Sequence, residues 1–316
     1  MPGRDQGNVP EEVSFINTQL SGRYAAALFF PIIVIVSHQV LYSNKKLGFV
    51  NSQRRELLSL QRKESIGLLV VAEAFENYHR PAVVWSGGKD STVVLGLVRD
   101  YATKNGVKMP PALFIDHGQH FPETMDFLKS VSKAWDFNVI YAKNEDFINK
   151  ASNGGVMLEH LSANNQSEAK KIGFEGKEIK YTLETDIGNH LLKTVPMKEA
   201  ISKYRFDALL VGVRWDENPA RSSEVFVSER SDPRHFRLHP ILTFSERNIW
   251  EYTFNHKLPI HPLYYKGYRS IDGKDDTHKL SDIPAWEQDL ENTTERAGRA
   301  QDKEGMMERL RSLGYM

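Results

Sequence analysis

Cysteine is absent from all 316 residues. Disulfides, thiolate metal sites, iron–sulfur clusters and thiol redox catalysis are therefore excluded. An excess of either charge is absent too, since 41 Lys and Arg face 41 Asp and Glu. That balance argues against bulk nucleic-acid binding, and no DNA partner is expected, although a local basic patch would be compatible with it. A long apolar run is also lacking. The most apolar stretch, from Tyr24 to Val36, is shorter than the roughly 20 residues of a spanning helix, and Ser37, His38 and Gln39 interrupt it before Val40. It does not read as a signal peptide, because Arg23 comes late and no small-residue cleavage site follows. Three readings stay open: a buried hairpin or helix, a membrane anchor held on the cytoplasmic side by Lys45 and Lys46, or an extension ahead of a start nearer residue 50. A cytoplasmic location is expected, with membrane association the less favoured alternative. Internal repeats are missing as well.

What is present reads as an α/β chain in three parts: an N-terminal extension over 1–50, a nucleotide-binding domain over 51–260, and a polar C-terminal extension over 261–316 suited to docking a partner. Residues 52–78 show apolar positions at helical spacing and end before Pro81. Short apolar runs at 82–85, 112–116, 138–142 and 207–214 read as buried strands. They alternate with helical patterns at about 91–104, 123–135 and 189–204, which implies a doubly wound parallel sheet. His239-Pro240-Ile241-Leu242 reads as an edge strand, and Ser245 as the N-cap of the helix after it. Residues 143–185 carry no clear pattern.

The chemistry concentrates behind the first strand. Val83-Val84-Trp85 leads into Ser86-Gly87-Gly88-Lys89-Asp90-Ser91-Thr92 and then an apolar helix. A glycine turn feeding a helix N-terminus aims several N–H groups and the helix dipole at one point, which attracts phosphate or pyrophosphate. Lys89 adds a charge, and Ser86, Ser91 and Thr92 add hydroxyls. The spacing is neither G-x-x-x-x-G-K-[ST] nor G-x-G-x-x-G. Asp116 ends the second strand, on the side of a parallel sheet where ligands sit. Gly212 and Arg214 follow the later strand, and Arg221 stands in the loop beyond. Either arginine suits an anionic ligand group or, equally, a surface ion pair.

These residues resemble the phosphoadenylylsulfate (PAPS) reductase family of the adenine-nucleotide α-hydrolase-like (PP-loop) superfamily. The resemblance rests on the 86–92 loop and on Phe114-Ile115-Asp116 with Phe121-Pro122-Glu123-Thr124. It extends to Lys193-Thr194-Val195-Pro196, to Gly212-Val213-Arg214 with Arg221, and to Leu258-Pro259-Ile260-His261-Pro262-Leu263-Tyr264. Reductases of the family keep a C-terminal cysteine, whereas Asp272-Gly273-Lys274-Asp275-Asp276 stands at that point here. The tail, Thr294-Glu295-Arg296-Ala297-Gly298-Arg299, instead is similar to sulfate adenylyltransferase subunit 2, the small subunit of heterodimeric ATP sulfurylases. His117 and Trp215 depart from that pattern, where threonine and a second arginine are usual.

The resemblance implies adenylyl transfer from ATP to sulfate beside a GTPase large subunit. ATP phosphates would lie in the loop against Ser86, Gly87, Gly88, Lys89, Asp90, Ser91 and Thr92, with Asp116 and Gly212 also lining the nucleotide. Mg²⁺ would be held by Asp90 or Asp116, directly or through water. Sulfate would lie near Lys193, Arg214 and Arg221, which with Lys89 form the expected catalytic set. PAPS or adenylylsulfate reduction, and PP-loop adenylation of another acceptor, are the alternatives.

Overall fold

The computed structural model describes residues 58–151, 154–217 and 221–298. The extension 1–50, the start of the 52–78 helical pattern and residues 299–316 of the C-terminal extension lie outside them. Among the described residues no helix is long and apolar enough to cross a membrane.

Helix α1 (Leu60–Asn77) is capped by Ser59, whose Oγ accepts from the Arg62 N–H. It stops ahead of Pro81, as the proline requires. Strand β1 (Pro81–Val84) then leads to α2 (Lys89–Asn105), β2 (Ala112–Ile115), α3 (Pro122–Trp135) and β3 (Val139–Ala142). The six-stranded sheet has the order β3-β2-β1-β6-β8-β7, where β6 is Ala208–Leu210, β7 is Val227–Ser231 and β8 is Arg234–Leu238. Every pairing is parallel except β7 with β8. The expected doubly wound α/β fold is present, closed on one side by an antiparallel edge.

The central strands read as unbroken apolar runs because both of their faces are covered. Ala82, Leu113 and Leu209 pack with Ala200, Ile201 and Phe206. Alternation sends their neighbours Val83 and Leu210, also fully buried, to the opposite face. There α1 packs against α2 and against β6 and β8.

One strand expectation is corrected. Residues His239 to Leu242 do not form an edge strand. They make a buried turn, with Leu242 N–H donating to His239 O at 3.3 Å and Phe244 N–H to Ile241 O at 2.9 Å. Pro240 has no N–H to give a ladder. The edge is β7, whose Ser-Glu-Arg-Ser run carries too little apolar alternation to announce itself. Residues 143–185, patternless in sequence, build a small lobe around the hairpin of β4 (Gly155–Met157) and β5 (Glu178–Lys180). Phe147, Leu161, Ile179, Leu183 and Leu191 form its core. The expected 189–204 helix begins earlier, at Asp186, and passes through a π-helical turn over His190–Thr194 before Val195–Tyr204.

β1 lies between β2 and β6. The chain therefore leaves β1 and β6 at the point where strand order reverses, which is where parallel α/β sheets open a crevice. The loop after β1 and the Gly212–Arg214 turn after β6 meet there.

Candidate active site

From β1 the chain turns through Ser86, Gly87 and Gly88 into α2. Gly87 has φ of 79°, a left-handed value that side chains resist. The turn is knitted by its own hydroxyls: Ser86 N–H donates to Ser91 Oγ at 3.2 Å, and Gly88 N–H donates to Ser86 Oγ at 3.3 Å. Thr92 points inward and accepts from Trp85 Nε1 at 3.0 Å, locking strand to helix. The Lys89 N–H, in the first turn of α2, donates to Tyr264 Oη at 2.8 Å. Burial, the largest influence, pushes the Tyr264 hydroxyl up to about 12, so it stays protonated.

Behind the loop lies a buried charge cluster. The Lys89 ammonium donates to Glu295 and, at 3.2 Å, to the Arg269 carbonyl. Asp90 and Glu246 stand 3.4 and 3.8 Å from it. Arg214, fully buried, holds the other oxygen of Glu295 and lies 2.9 Å from Asp90 and 3.6 Å from Asp216. Burial alone would lower both cations, but Asp90 and Glu295 outweigh it and hold both raised. Burial likewise works to raise Glu295, yet Arg214 and Lys89 hold it far below the ordinary carboxylate range. Gly212 lets the β6 turn approach α2: a Cβ there would lie 3.0 Å from the Asp90 carbonyl carbon and the Ser91 nitrogen.

A second group gathers at the end of β2. Asp116 accepts from Gly118 N–H at 2.9 Å and lies 3.7 Å from His120. The His117 and His120 rings lie against each other with centroids 3.5 Å apart, tilted by 33°. Lys193, from the π-helical turn, donates to both Asp272 oxygens at 2.7 Å, and His117 Nε2 is 3.6 Å from Asp272. Burial, ahead of all else, lowers both imidazoles, His120 to about 3. Arg221 pairs at 2.9 Å with Glu217, which Arg296 also holds at 3.1 Å and which borders the first group through its interaction with Arg214 and Glu295.

The fold thus brings together Ser86, Gly87, Gly88, Lys89, Asp90, Ser91, Thr92, Gly212 and Arg214. Lys193 and Asp116 belong to the second group, and Arg221 reaches the first only through Glu217.

The sequence profile of the phosphoadenosine phosphosulfate reductase domain matches residues 80–279, more than half of the chain. The chain belongs to that family. Among relatives of the chain, sulfate adenylyltransferase subunit 2 of Brucella anthropi is 26% identical over 250 residues, covering 71% of this chain and 72% of that protein. Among solved structures, the PAPS reductase of Candida auris superposes with a TM-score of 0.50 at 16% identity, covering 72% of this chain and 98% of that one. The FMN adenylyltransferase of Candida glabrata, with FAD and inorganic pyrophosphate, superposes with a TM-score of 0.54 at 17% identity, covering 76% and 89%. At those identities the structural likeness speaks for the fold. The reductase-domain match includes the loop, Asp116, Lys193, Arg214, Arg221 and Asp272, and it ends before Glu295.

The residues present do not fit a resident Mg²⁺ site. Asp90 is flanked by two cations, Asp116 lies in a different group, and no cluster of three or more metal-binding side chains forms among the described residues. A magnesium ion that travels on nucleotide phosphates is a matter of substrate.

Tyr264, Glu246, Arg269, Asp272 and Glu295 are the site residues that sequence reasoning does not place. Tyr264 and Glu295 lie in strings that carry the resemblance, but no spacing connects any of the five to the loop.

Proposed function

We propose that the chain transfers the adenylyl group of ATP to sulfate and releases pyrophosphate, as the nucleotide-binding subunit of a two-subunit enzyme. One observation carries this reading: Lys89 and Arg214 lie buried together where a glycine turn opens a helix, and Arg214 Nη1 has no hydrogen-bond acceptor among the described residues. Buried donors are rarely left so, which fits a partner that arrives with a ligand. A sulfate oxygen would attack the α-phosphorus, the α–β anhydride bond would break, and pyrophosphate would leave into the loop with Lys89 and Arg214 taking its developing charge. Lys193 would face the sulfate side. MgATP is the substrate form. No covalent enzyme intermediate is needed, which suits a chain without a sulfur nucleophile. The subunit-2 relatives support a larger second subunit, and a GTPase is the partner proposed, since sulfate is a weak nucleophile and the mixed anhydride is high in energy.

The test is pyrophosphate exchange into ATP by the purified chain with its co-purifying partner. Exchange should depend on sulfate and should fall at least about 100-fold in Lys89→Ala. Consumption of PAPS with reduced thioredoxin, without such exchange, would overturn the reading.

A further inference from the structure

The cations assigned to ligand anions are already matched by carboxylates, and two of those carboxylates come from the segment after the short helix Pro262–Tyr265. Glu295 bridges Lys89 and Arg214, and Asp272 takes Lys193 with both oxygens. Residues 266–298 hold almost no regular structure beyond one short turn over Ala285–Glu287. Side chains anchor the segment instead. Arg269 grips Glu246 at 2.7 Å and donates to the carbonyls of Asp289 and Leu290 at 3.1 Å. It also donates to the Thr293 hydroxyl. Those contacts deliver Glu295, two residues further on, into the loop.

We propose that Glu295 is an internal stand-in for a phosphate group, filling the position between Lys89 and Arg214 in the ligand-free chain and leaving it when a phosphoanion binds. The inference rests on reading the loop as the pyrophosphate site. Charge balance carries it. Three cations (Lys89, Arg214 and Arg269) face four carboxylates (Asp90, Asp216, Glu246 and Glu295) within ion-pair distance. Next to that set Glu217 adds one carboxylate and its partners Arg221 and Arg296 add two cations, so a phosphoanion would meet a cluster with no positive charge to spare, in a poorly solvated place where repulsion is strong. Removing Glu295 leaves three against three and frees donors on both cations. The orphaned Arg214 Nη1 is a second sign that the carboxylate is an imperfect occupant: two oxygens cannot serve a guanidinium and an ammonium as the several oxygens of a phosphate can. Beyond Glu295 the chain is also held, by Arg296 on Glu217 at 3.1 Å and by His278 N–H donating to Gly298 O at 2.8 Å, so lifting residues 294–298 gives up these two contacts while the Arg269 anchor over 269–293 stays docked.

The experiment is calorimetric titration of the full chain with inorganic pyrophosphate, in wild type, Glu295→Gln and Lys89→Ala. Glu295→Gln should bind about tenfold tighter than wild type, because the competing anion is gone. Lys89→Ala should bind at least about tenfold weaker. If Glu295→Gln binds equally or more weakly, Glu295 is a brace for the two cations and the exchange is wrong. If Lys89→Ala binds as wild type does, or no form binds, the loop is not the pyrophosphate site and the functional reading falls first. Hydrogen exchange on wild type needs no variant: saturating pyrophosphate should lower protection over residues 294–298, and unchanged or increased protection there overturns the exchange.

Discussion

Lys89 is held from two directions by the C-terminal part of the chain, its N–H by Tyr264 and its ammonium by Arg269 and Glu295. Arg214 is its counterpart across the strand-order reversal. A guanidinium offers a fixed planar fork, which an ammonium cannot copy. Arg214→Lys is therefore expected to keep the charge yet weaken ATP binding about tenfold, read by titration. Affinity equal to wild type would mean that only charge matters at this position. Lys89 was legible as a site residue because its meaning is local: strand, glycine turn and helix start are consecutive. Glu295 was not, because it lies 206 positions from Lys89 and 81 from Arg214. A lone glutamate in a charged tail looks like a solvated face until folding buries it.

At the scale of elements, the site depends on how closely the β6 turn and the start of α2 approach. Gly212→Ala would press a methyl group onto backbone atoms of Asp90 and Ser91 that have nowhere flexible to go. A cost of about 1–3 kcal/mol is expected, seen as a lower urea midpoint, with weaker ATP binding. An unchanged midpoint would show that the turn can slide away freely. The helix Glu246–Asn255 carries Glu246, the residue that receives Arg269, and its start is fixed by a capping box between Ser245 and Asn248. Ser245→Ala should cost about 1 kcal/mol in chemical denaturation. A far smaller cost would mean that the Glu246–Arg269 contact alone sets the helix start. Ser245 was readable as a cap because capping is a four-residue pattern. The β7–β8 edge was not, since half-exposed charged strands lose the alternation that marks a strand.

For the whole molecule, buried histidines set the acid side of stability. Burial is the main cause that lowers His235, His239 and His261 to about 4 each, against an ordinary value of 6.5. His261 shows how the neutral form is kept: Nδ1 accepts the Leu263 N–H at 3.2 Å, leaving Nε2 to donate to Thr124 Oγ1 at 3.0 Å. Because the folded values are lower than the unfolded ones, the unfolded chain binds more protons between about pH 6.5 and 4. This stabilisation is fully present above about pH 6.5 and is lost as pH falls toward 4. Each imidazole that is protonated only in the unfolded chain removes about 1.4 kcal/mol for every pH unit of that fall. The thermal midpoint should drop steeply between pH 7 and 5. A flat profile over that range would show that these imidazoles are solvated.

Sequence by itself determined the central parallel strands, the helices between them and the phosphate-type loop, because each rests on residues adjacent in the chain and on apolar burial that repeats with a fixed period. Cysteine content by itself removed thiol chemistry. Tertiary structure decided which distant side chains share a site. It joined Arg214 to Lys89 by placing β6 beside β1, and it sent Lys193 to Asp272 and Arg221 to Glu217. It also laid a segment with little regular structure over the loop so that Glu295 became its counter-charge. Ion pairs act through space and carry no period along the chain, so only the folded molecule reveals them.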